Sequence, residues 1–357
     1  MRTGSFSHRA AASSSAAGPL CRGYFDRVHR DDGSLVLAGW LLVLGRAADR
    51  VVVRLDGRVL GEAARVPFDG VASLYPDEPD ARRAGFYFVA AAPPMDHGRW
   101  SRIEVDPIVG GRMVEGLSIL HRPGWWADLP VPPEPLRIRV TGHGSVDYYR
   151  LGALQTLSDL LPALDESIGL GARPRVLDWG CGSGRVTGLL LAHWPEADVV
   201  GCDIDAEAIA WCDAHLAAGR FVECPRRPPT RLDAESFDVV IGFSVLTHLT
   251  RDRQAAWLAE IARLLRPGGR FLATVSGEFA ALPPCPPAVR DDLARDGISD
   301  GFVDPALEDV APPGYYRAVY QTEAYTRRAF EPFFEVLDYV PRAMSRFQDL
   351  VIARKPG

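Results

Sequence analysis

The 357-residue sequence predicts two folded parts, a small all-β domain of sandwich-like form followed by a larger α/β domain with a doubly wound, mostly parallel sheet. Three observations predict this. Short runs rich in Val, Leu and aromatic residues fill residues 21–122. From about residue 141, strand patterns alternate with helical ones. Between them, five prolines from Pro123 to Pro135 predict a linker, taken as residues 123–140.

The first part reads as an antiparallel sandwich. Asp56-Gly57 stands between two Val/Leu-rich runs, which is a strong hairpin signal. The short strand spacing, without a long helical period, is typical of such a fold. Residues 1–20, rich in Ser and Ala but without an apolar core segment, are expected to form a disordered leader. The candidate strands are 35–43, 50–55, 85–89, 103–105 and 117–120.

The second part, residues 141–357, shows the βαβ alternation. Leucines at helical spacing from Leu151 to Leu161 predict a first helix. Two final strands, 333–340 and 346–354, are expected to close the sheet as an antiparallel hairpin. The proline-rich stretch 276–328 is an insertion expected to cap a substrate pocket. The other predicted strands are 175–179, 198–203, 237–242 and 270–275, and the helices are 184–193, 206–216 and 252–265.

Composition excludes several classes of protein. A hydrophobic share of 47% excludes wholesale disorder, and no uninterrupted apolar run is long enough to span a membrane. The net charge of −6 lacks the basic footprint of a nucleic-acid binder. The six cysteines form no CxxC pair or zinc-like spacing, so no metal is predicted. Free thiols without an export signal predict a cytoplasmic protein, and the Arg, Ala, Pro and Gly excess indicates a GC-rich bacterial gene.

The main chemical signal is VLDWGCGSGR, residues 176–185, in which Gly180, Gly182 and Gly184 follow a strand and open a helix. Lacking Cβ atoms, they let the backbone turn sharply and approach a ligand. The spacing is GxGxG rather than the dinucleotide GxGxxG, which disfavours an NAD-dependent oxidoreductase. Asp178, before the turn, suits a ligand with an ammonium group. Asp203 ends the next strand, where a carboxylate can accept hydrogen bonds from ribose hydroxyls.

These residues resemble the class I S-adenosylmethionine-dependent methyltransferases, which have a Rossmann-like fold. VLDWGCGSGR is similar to their first motif, VVGCDID to their second strand, and FDVVIGFSVLTHL and LLRPGGRFLATV to their fourth and fifth strands. The resemblance covers about residues 140–357. It implies S-adenosylmethionine as cofactor, with the glycines along its methionine part, Asp178 at its amino group, Asp203 at its ribose and Ile204 on its adenine. The implied cofactor residues are Asp178, Gly180, Cys181, Gly182, Gly184, Arg185, Asp203, Ile204, Phe243, Ser244 and Tyr149.

One stretch departs from the family pattern. Where many relatives carry an acidic or amide side chain near the adenine amino group, this sequence has Arg226 and Arg227. Backbone groups near Glu223 and Cys224 are therefore expected to recognise the adenine.

Candidate catalytic and acceptor-binding residues follow from the chemistry. A sulfonium methyl group is already activated, so transfer needs alignment, and a hydroxyl acceptor also benefits from a general base. His248, beyond the fourth strand, and His143, ahead of the first helix, are the candidate bases. For His248, a role in supporting its loop is the alternative. Tyr315, Tyr316, Tyr320 and Gln321 in the insertion are candidate lining residues of the acceptor pocket.

The predicted function is O-methylation of a hydroxyl on a small molecule, natural product or saccharide. Two alternatives stay open: N-methylation of a small-molecule amine, or a protein that binds S-adenosylmethionine while its β-domain acts as a glycan-binding or scaffold module. The expected partner is a small molecule or saccharide, with no nucleic acid and no membrane. The oligomeric state is open, with a homodimer as one option.

Overall fold

The computed structural model describes residues 20–31, 33–91, 100–122, 129–168, 173–282, 285–305 and 308–357. The predicted leader, except Leu20, and the first six residues of the predicted linker lie outside the described residues. Within these ranges, no helix is both long and apolar enough to cross a membrane.

The N-terminal part is one antiparallel sheet of eight strands. Strand β4 pairs with β3 as far as Ala63 and with β5 from Ala64 onward, so the sheet turns within this strand and curls on itself. This confirms the small all-β domain. The strands are β1 (Cys21–Asp31), β2 (Ser34–Val43), β3 (Arg50–Leu55), β4 (Arg58–Val66), β5 (Gly85–Ala91), β6 (Ser101–Val109), β7 (Arg112–Met113) and β8 (Leu117–His121).

The predicted hairpin at Asp56-Gly57 joins β3 to β4. Both residues have positive φ, 48° and 78°, which is the backbone that a two-residue hairpin turn requires. One short helix of this part, α1 (Asp69–Leu74), was absent from the predicted elements.

Two helices connect the sheets. Helix α2 (Glu134–Thr141) starts inside the segment predicted as linker, because Pro135 stands in its first turn, where no intrahelical N–H bond is needed. Helix α3 (Val146–Ile168) extends the predicted leucine repeat at both ends.

The second sheet has seven strands in the order β11-β10-β9-β12-β13-β17-β16. Strands β9 to β13 run parallel, and β16 and β17 form the antiparallel hairpin at one edge. This confirms the predicted doubly wound sheet. The strands are β9 (Arg175–Trp179), β10 (Asp198–Asp203), β11 (Arg220–Glu223), β12 (Phe237–Gly242), β13 (Leu265–Val275), β16 (Glu335–Met344) and β17 (Gln348–Arg354).

Three helices cover this sheet: α4 (Thr187–His193), α5 (Ala206–His215) and α6 (Arg251–Leu264). Helix α4 begins three residues later than predicted, because Gly182 and Gly184 hold a left-handed backbone that a helix excludes.

The insertion after β13 folds into α7 (Pro287–Asp296), a two-stranded sheet of β14 (Ile298–Val303) and β15 (Arg317–Gln321), and α8 (Glu323–Phe330). The backbone N–H of Gln321 donates to the carbonyl of Ser276, at 2.9 Å. This bond ties the insertion to the end of β13, at the edge of the parallel sheet where the strands finish.

The two sheets share a hydrophobic core. One cluster of buried side chains includes Val53 of β3, Leu154 of α3 and Val239 of β12. Polar contacts add to it: Gln155 Nε2 donates to the Ser118 carbonyl at 2.7 Å, and the Ser345 N–H donates to Asp159 Oδ2 at 2.7 Å. The N-terminal sheet is therefore packed firmly on α3 and the C-terminal hairpin.

Candidate functional site

The glycine turn after β9 has no room for larger residues. Gly180, Gly182 and Gly184 have φ values of 77°, 52° and 75°. A Cβ on Gly180 would lie 2.4 Å from Val245 Cγ2, and a Cβ on Gly182 would lie 2.8 Å from Val140 Cγ2. Both the backbone conformation and the packing therefore require glycine here.

Asp203, the last residue of β10, joins the glycine turn to the next loop. Its Oδ2 accepts a hydrogen bond from the Gly182 N–H at 2.8 Å, and its Oδ1 accepts one from the Asp205 N–H at 2.9 Å. Burial raises the pKa of Asp203, and these backbone donors oppose the rise. A carboxylate has about four lone-pair sites, so both oxygens can still accept hydroxyl donors.

Asp178 lies one layer deeper. Only 2% of it is exposed, and its Oδ2 accepts a hydrogen bond from Thr187 Oγ1 at 2.6 Å. Burial raises its pKa to about 6, the Thr187 hydroxyl opposes this, and the charge of Asp203 adds to it. Asp178 therefore links the end of β9 to Thr187, which follows the glycine turn, and its side chain does not line the adjacent cavity.

A cavity of about 500 Å³, including space open to solvent, lies at the ends of β9, β10 and β12. Its volume is within the range of small-molecule sites. Predicted residues from three elements meet here, together with several that were not predicted. The lining residues are Trp179, Gly180, Asp203, Ile204, Cys224, Ser244, Val245, His248, Leu249, Trp257, Tyr315 and Tyr316.

Residues of the insertion form one side of this cavity, and Arg226 and Arg253 hold them in place. The Tyr315 hydroxyl donates to the Arg226 carbonyl at 2.7 Å, and Arg226 Nη2 donates to the Val310 carbonyl at 3.1 Å. Arg253 lies 4.2 Å from the Tyr315 ring centre and donates to its carbonyl at 2.6 Å. Arg226, which stands where relatives carry an acid, thus holds the insertion over the end of β11.

His248 is held in one orientation by the insertion. Its Nδ1 lies 3.1 Å from the Arg317 carbonyl oxygen and 3.6 Å from Asp304 Oδ2. Because a carbonyl can only accept, Nδ1 carries the proton and Nε2 is left as an acceptor in the neutral ring. Burial lowers the pKa of His248, and Asp304 and the Arg317 carbonyl oppose this.

Two residues that were predicted to line the acceptor pocket, Tyr320 and Gln321, do not line this cavity. Gln321 is buried, accepts from Gln254 Nε2 at 2.8 Å and donates to Thr326 Oγ1 at 2.8 Å. Tyr320 packs on a separate small core that includes Val289. Both residues lie at the end of β15, whereas the lining residues Tyr315 and Tyr316 precede this strand.

Five further predicted residues do not line this cavity. The Tyr149 hydroxyl donates to the Ser183 carbonyl at 3.0 Å, and the buried Cys181 packs beneath the turn. The Arg185 guanidinium lies 5.5 Å from the ring centre of Phe243. His143, the other candidate base, is exposed and stacks on Tyr148 with ring centres 5.1 Å apart.

Residues that sequence reasoning missed come mostly from distant elements. Trp257 of α6 and Leu249 line the cavity with no local signal beyond an apolar helical pattern. Asp304 lies more than fifty residues after His248 in the chain, and only the fold of the insertion brings the two together.

Comparison with known proteins agrees with this architecture. Residues 176–269 match the sequence model of a family described as the methyltransferase domain. The α/β part therefore contains a methyltransferase domain, in agreement with the predicted resemblance to the Rossmann-like, S-adenosylmethionine-dependent methyltransferases.

Similar proteins include a malonyl-[acyl-carrier protein] O-methyltransferase from Herminiimonas arsenicoxydans, 33% identical over 32% of this chain and 40% of that protein. A trans-aconitate 2-methyltransferase from Streptomyces avermitilis is 31% identical over 29% of this chain and 40% of that protein. A solved S-adenosylmethionine-dependent methyltransferase from Methanosarcina mazei has a TM-score of 0.44 and 20% identity, covering 55% of this chain and 97% of that one. The chain thus spans about 40% of the length of these two curated relatives.

Proposed function

We propose that the protein transfers the methyl group of S-adenosylmethionine to a hydroxyl oxygen of a small molecule, natural product or saccharide. The observation that carries the proposal is that Gly180 of the glycine turn, Asp203 and His248 line the same cavity. A cytoplasmic location is part of this proposal.

The residues around the cavity fit the cofactor. The carboxylate of Asp203 can accept hydrogen bonds from the ribose hydroxyls of the cofactor. The partly buried side chain of Ile204 offers an apolar surface on which the adenine ring can pack. The faces of Tyr315 and Tyr316 are favourable neighbours for a positively charged sulfur. When bound, S-adenosylmethionine supplies a methyl group activated by attachment to that sulfur.

His248 is proposed as the general base. With Nδ1 donating to the Arg317 carbonyl, Nε2 can accept the proton of an acceptor hydroxyl. The lowered pKa keeps the ring neutral near pH 7, which is the form a base needs. Asp304 stabilises the imidazolium that forms when the proton moves, because its carboxylate is 3.6 Å from Nδ1.

The choice of oxygen over nitrogen rests on two supports. A base within the cavity is useful for a hydroxyl, whereas an amine only has to be held uncharged. The two curated relatives named above are also O-methyltransferases or act on an acid, as their names state.

The test is transfer of a radiolabelled methyl group from S-adenosylmethionine to metabolite and saccharide fractions. Release of labelled methanol by base identifies an ester, retention of the label on a cation exchanger at acidic pH identifies a methylamine, and an ether shows neither. We expect an ether, loss of turnover in His248→Gln by about 100-fold or more, and unchanged binding of S-adenosylhomocysteine. His215→Gln, an exposed histidine on α5, is the matched control and should behave as wild type. Labelled methylamine, or full activity in His248→Gln, would contradict the proposal; glycan binding without turnover would favour the scaffold alternative.

A further inference from the structure

The loop that follows β12 contributes Ser244 to the cavity, and a closed set of hydrogen bonds holds this residue. Ser244 has a φ of 58°, in the left-handed region that a serine rarely adopts. Its backbone N–H donates to Thr274 Oγ1 of β13 at 2.7 Å, and its Oγ lies 3.0 Å from Gln348 Nε2 of β17 and 3.1 Å from Thr247 Oγ1. Thr274 Oγ1 in turn donates to Gln348 Oε1 at 2.8 Å. Two neighbouring strands therefore hold one cavity-lining serine in place.

The orientation of the Gln348 amide follows from the burial of Thr274. The Thr274 side chain is fully buried and its Oγ1 already accepts the Ser244 N–H, so the hydrogen of its hydroxyl needs an acceptor. In an amide, the oxygen accepts hydrogen bonds and the nitrogen only donates them. Gln348 Oε1 therefore faces Thr274, and Gln348 Nε2 donates to Ser244 Oγ.

Thr247 gives Ser244 a second hydrogen bond. Only 4% of Thr247 is exposed, and among the described residues Ser244 Oγ is the hydrogen-bond partner of its hydroxyl. If Ser244 donated to Thr247, the hydrogen of the Thr247 hydroxyl would be buried without an acceptor, which costs free energy. Thr247 is therefore the donor. A serine oxygen has two lone pairs, and Gln348 and Thr247 occupy both.

The Ser244 hydroxyl is consequently a hydrogen-bond donor only. Because its lone pairs are occupied, it accepts neither a proton nor a hydrogen bond from a ligand, but its own hydrogen is available. Ser244 is half-buried and lines the cavity, so this hydrogen can reach a ligand there. His248, later on the same loop, has the opposite character, because its Nε2 is an acceptor in the neutral ring.

The place of Ser244 in the sheet favours the acceptor molecule over the nucleoside as its ligand. Asp203, the proposed ribose ligand, ends β10, whereas Ser244 follows β12, and β9 lies between these two strands. At about 4.8 Å per strand, the two positions are about 10 Å apart across the sheet. The loop of Ser244 also carries the proposed base His248, and both residues line the cavity. The Ser244 hydrogen is therefore on the side of the proposed base.

We propose that Ser244 determines acceptor specificity by donating a hydrogen bond to an oxygen of the acceptor, and that Gln348 is the positioning residue that directs the hydroxyl. The inference rests on the proposed function, because it concerns the acceptor of the same reaction. The acceptor then carries two oxygens close together: the hydroxyl that gives its proton to His248, and a second oxygen that accepts from Ser244. Vicinal diols, their monoethers and hydroxy ketones have this arrangement, whereas an isolated hydroxyl does not.

Paired acceptors of equal size test the second oxygen on the full chain. One pair is 2-methoxyphenol and 2-ethylphenol, and the other is 2-methoxycyclohexanol and 2-ethylcyclohexanol; within each pair an oxygen is replaced by a methylene group. We expect wild type to methylate the two-oxygen member with a kcat/KM about tenfold higher, the effect of one hydrogen bond in a buried site. Ser244→Ala should lose this preference and keep its activity on the one-oxygen member. Ser236→Ala, which removes a buried hydroxyl just before the start of β12, is the matched control.

Gln348 is tested by reversing its hydrogen bond to Ser244. In Gln348→Glu the ionised carboxylate only accepts, so Ser244 donates to it and no longer to the acceptor. We expect this variant to lose the preference as completely as Ser244→Ala, and the double variant to lose no more. Gln348→Met, which removes the bond without reversing it, should keep part of the preference. A merely structural role of Gln348 would lower transfer to both members of a pair equally and would overturn its assignment.

Titration with S-adenosylhomocysteine separates the acceptor from the cofactor as the ligand of Ser244. Binding by Ser244→Ala that matches wild type shows a folded variant with an intact cofactor site, as we expect. A loss of about tenfold or more would assign the hydroxyl to the cofactor, and the inference would be overturned. Equal transfer by wild type to both members of the pairs, or an unchanged preference in Ser244→Ala, would also overturn it while the proposed function stands.

If wild type labels no member of either pair, the variants are assayed on the metabolite fraction that wild type labels. There, a rise of about tenfold in the apparent KM of Ser244→Ala supports the inference, and an unchanged KM overturns it. Failure of wild type to label any fraction overturns both the inference and the proposed function.

Discussion

At the scale of single residues, two carboxylates beneath and beside the glycine turn have different tasks. Asp203 lines the cavity and fixes the turn through the Gly182 N–H, whereas Asp178 is buried against Thr187. The charge of Asp203 adds to the burial that raises the pKa of Asp178, and a ligand ammonium near the two carboxylates would oppose this rise.

Asp178 makes the stability of the protein depend on pH. Its pKa in the folded state, about 6, is above the 3.8 of the unfolded chain, so between these values only the folded state holds the proton. The stabilising contribution is present below about pH 4 and is lost as the pH rises through 6. We expect Asp178→Asn to gain about 3 kcal/mol in unfolding free energy relative to wild type between pH 4 and 7.5.

Urea unfolding of both proteins across this range measures the effect. Asp213→Asn, at an exposed position on α5, is the control and should show no such trend. If the difference in unfolding free energy between wild type and Asp178→Asn did not change with pH, the raised pKa of Asp178 would be contradicted.

The single residues were predictable from sequence only where a motif names them. Asp203, Gly180 and Ile204 line one cavity, because the strand-turn-helix pattern dictates its own geometry, and their contacts with the cofactor stay predictions. Tyr320 and Gln321 do not line the cavity, because they lie at the far end of β15, which pairs with β14, whereas Tyr315 and Tyr316 precede this strand. The stacking of Tyr24 on Tyr148 could not be foreseen, since the two residues belong to different parts of the chain.

At the scale of elements, the glycine turn is the part with the least tolerance. Gly180→Ala forces a left-handed alanine and a Cβ at 2.4 Å from Val245, so we expect a loss of about 3 kcal/mol in stability. Gly57→Ala, in the hairpin of the N-terminal sheet, has a similar φ of 78° but nothing within 4 Å of its Cβ. That control should lose only about 1–2 kcal/mol.

Chemical unfolding of the two variants measures the loss of unfolding free energy in each. The difference between them is the part due to the clash with Val245, because both share the cost of a left-handed alanine. Equal losses would show that Val245 moves aside freely and that packing does not require glycine at position 180.

Element boundaries followed from sequence where buried strands have sharp ends. Strands β9, β10 and β12 span the predicted residues, because each is a short apolar run bounded by a turn or a charged residue. For the insertion, the sequence pattern revealed only the prolines and predicted no helices or strands. Contacts with Arg226, Arg253 and Ser276, which no local pattern reveals, hold the folded insertion in place.

At the scale of the whole molecule, the two sheets form one cooperative unit. Because Val53, Leu154 and Val239 belong to one buried cluster, loss of either sheet exposes the core of the other. We expect a single calorimetric unfolding transition, with Val53→Ala in the N-terminal sheet lowering the temperature at which S-adenosylhomocysteine binding is lost. Two separated transitions, or a Val53→Ala variant that changes only the first, would contradict this.

Asp203 is the residue proposed to bind the ribose of the nucleoside, and the proposed function depends on this role. The most direct measurement is calorimetric titration of wild type, Asp203→Asn and the exposed control Asp213→Asn with S-adenosylhomocysteine, after each is shown to be folded by its melting curve. We predict binding by wild type and Asp213→Asn, and a loss of about 100-fold or more in Asp203→Asn, because charged hydrogen bonds to two hydroxyls are removed. Binding by Asp203→Asn within twofold of wild type would contradict the account.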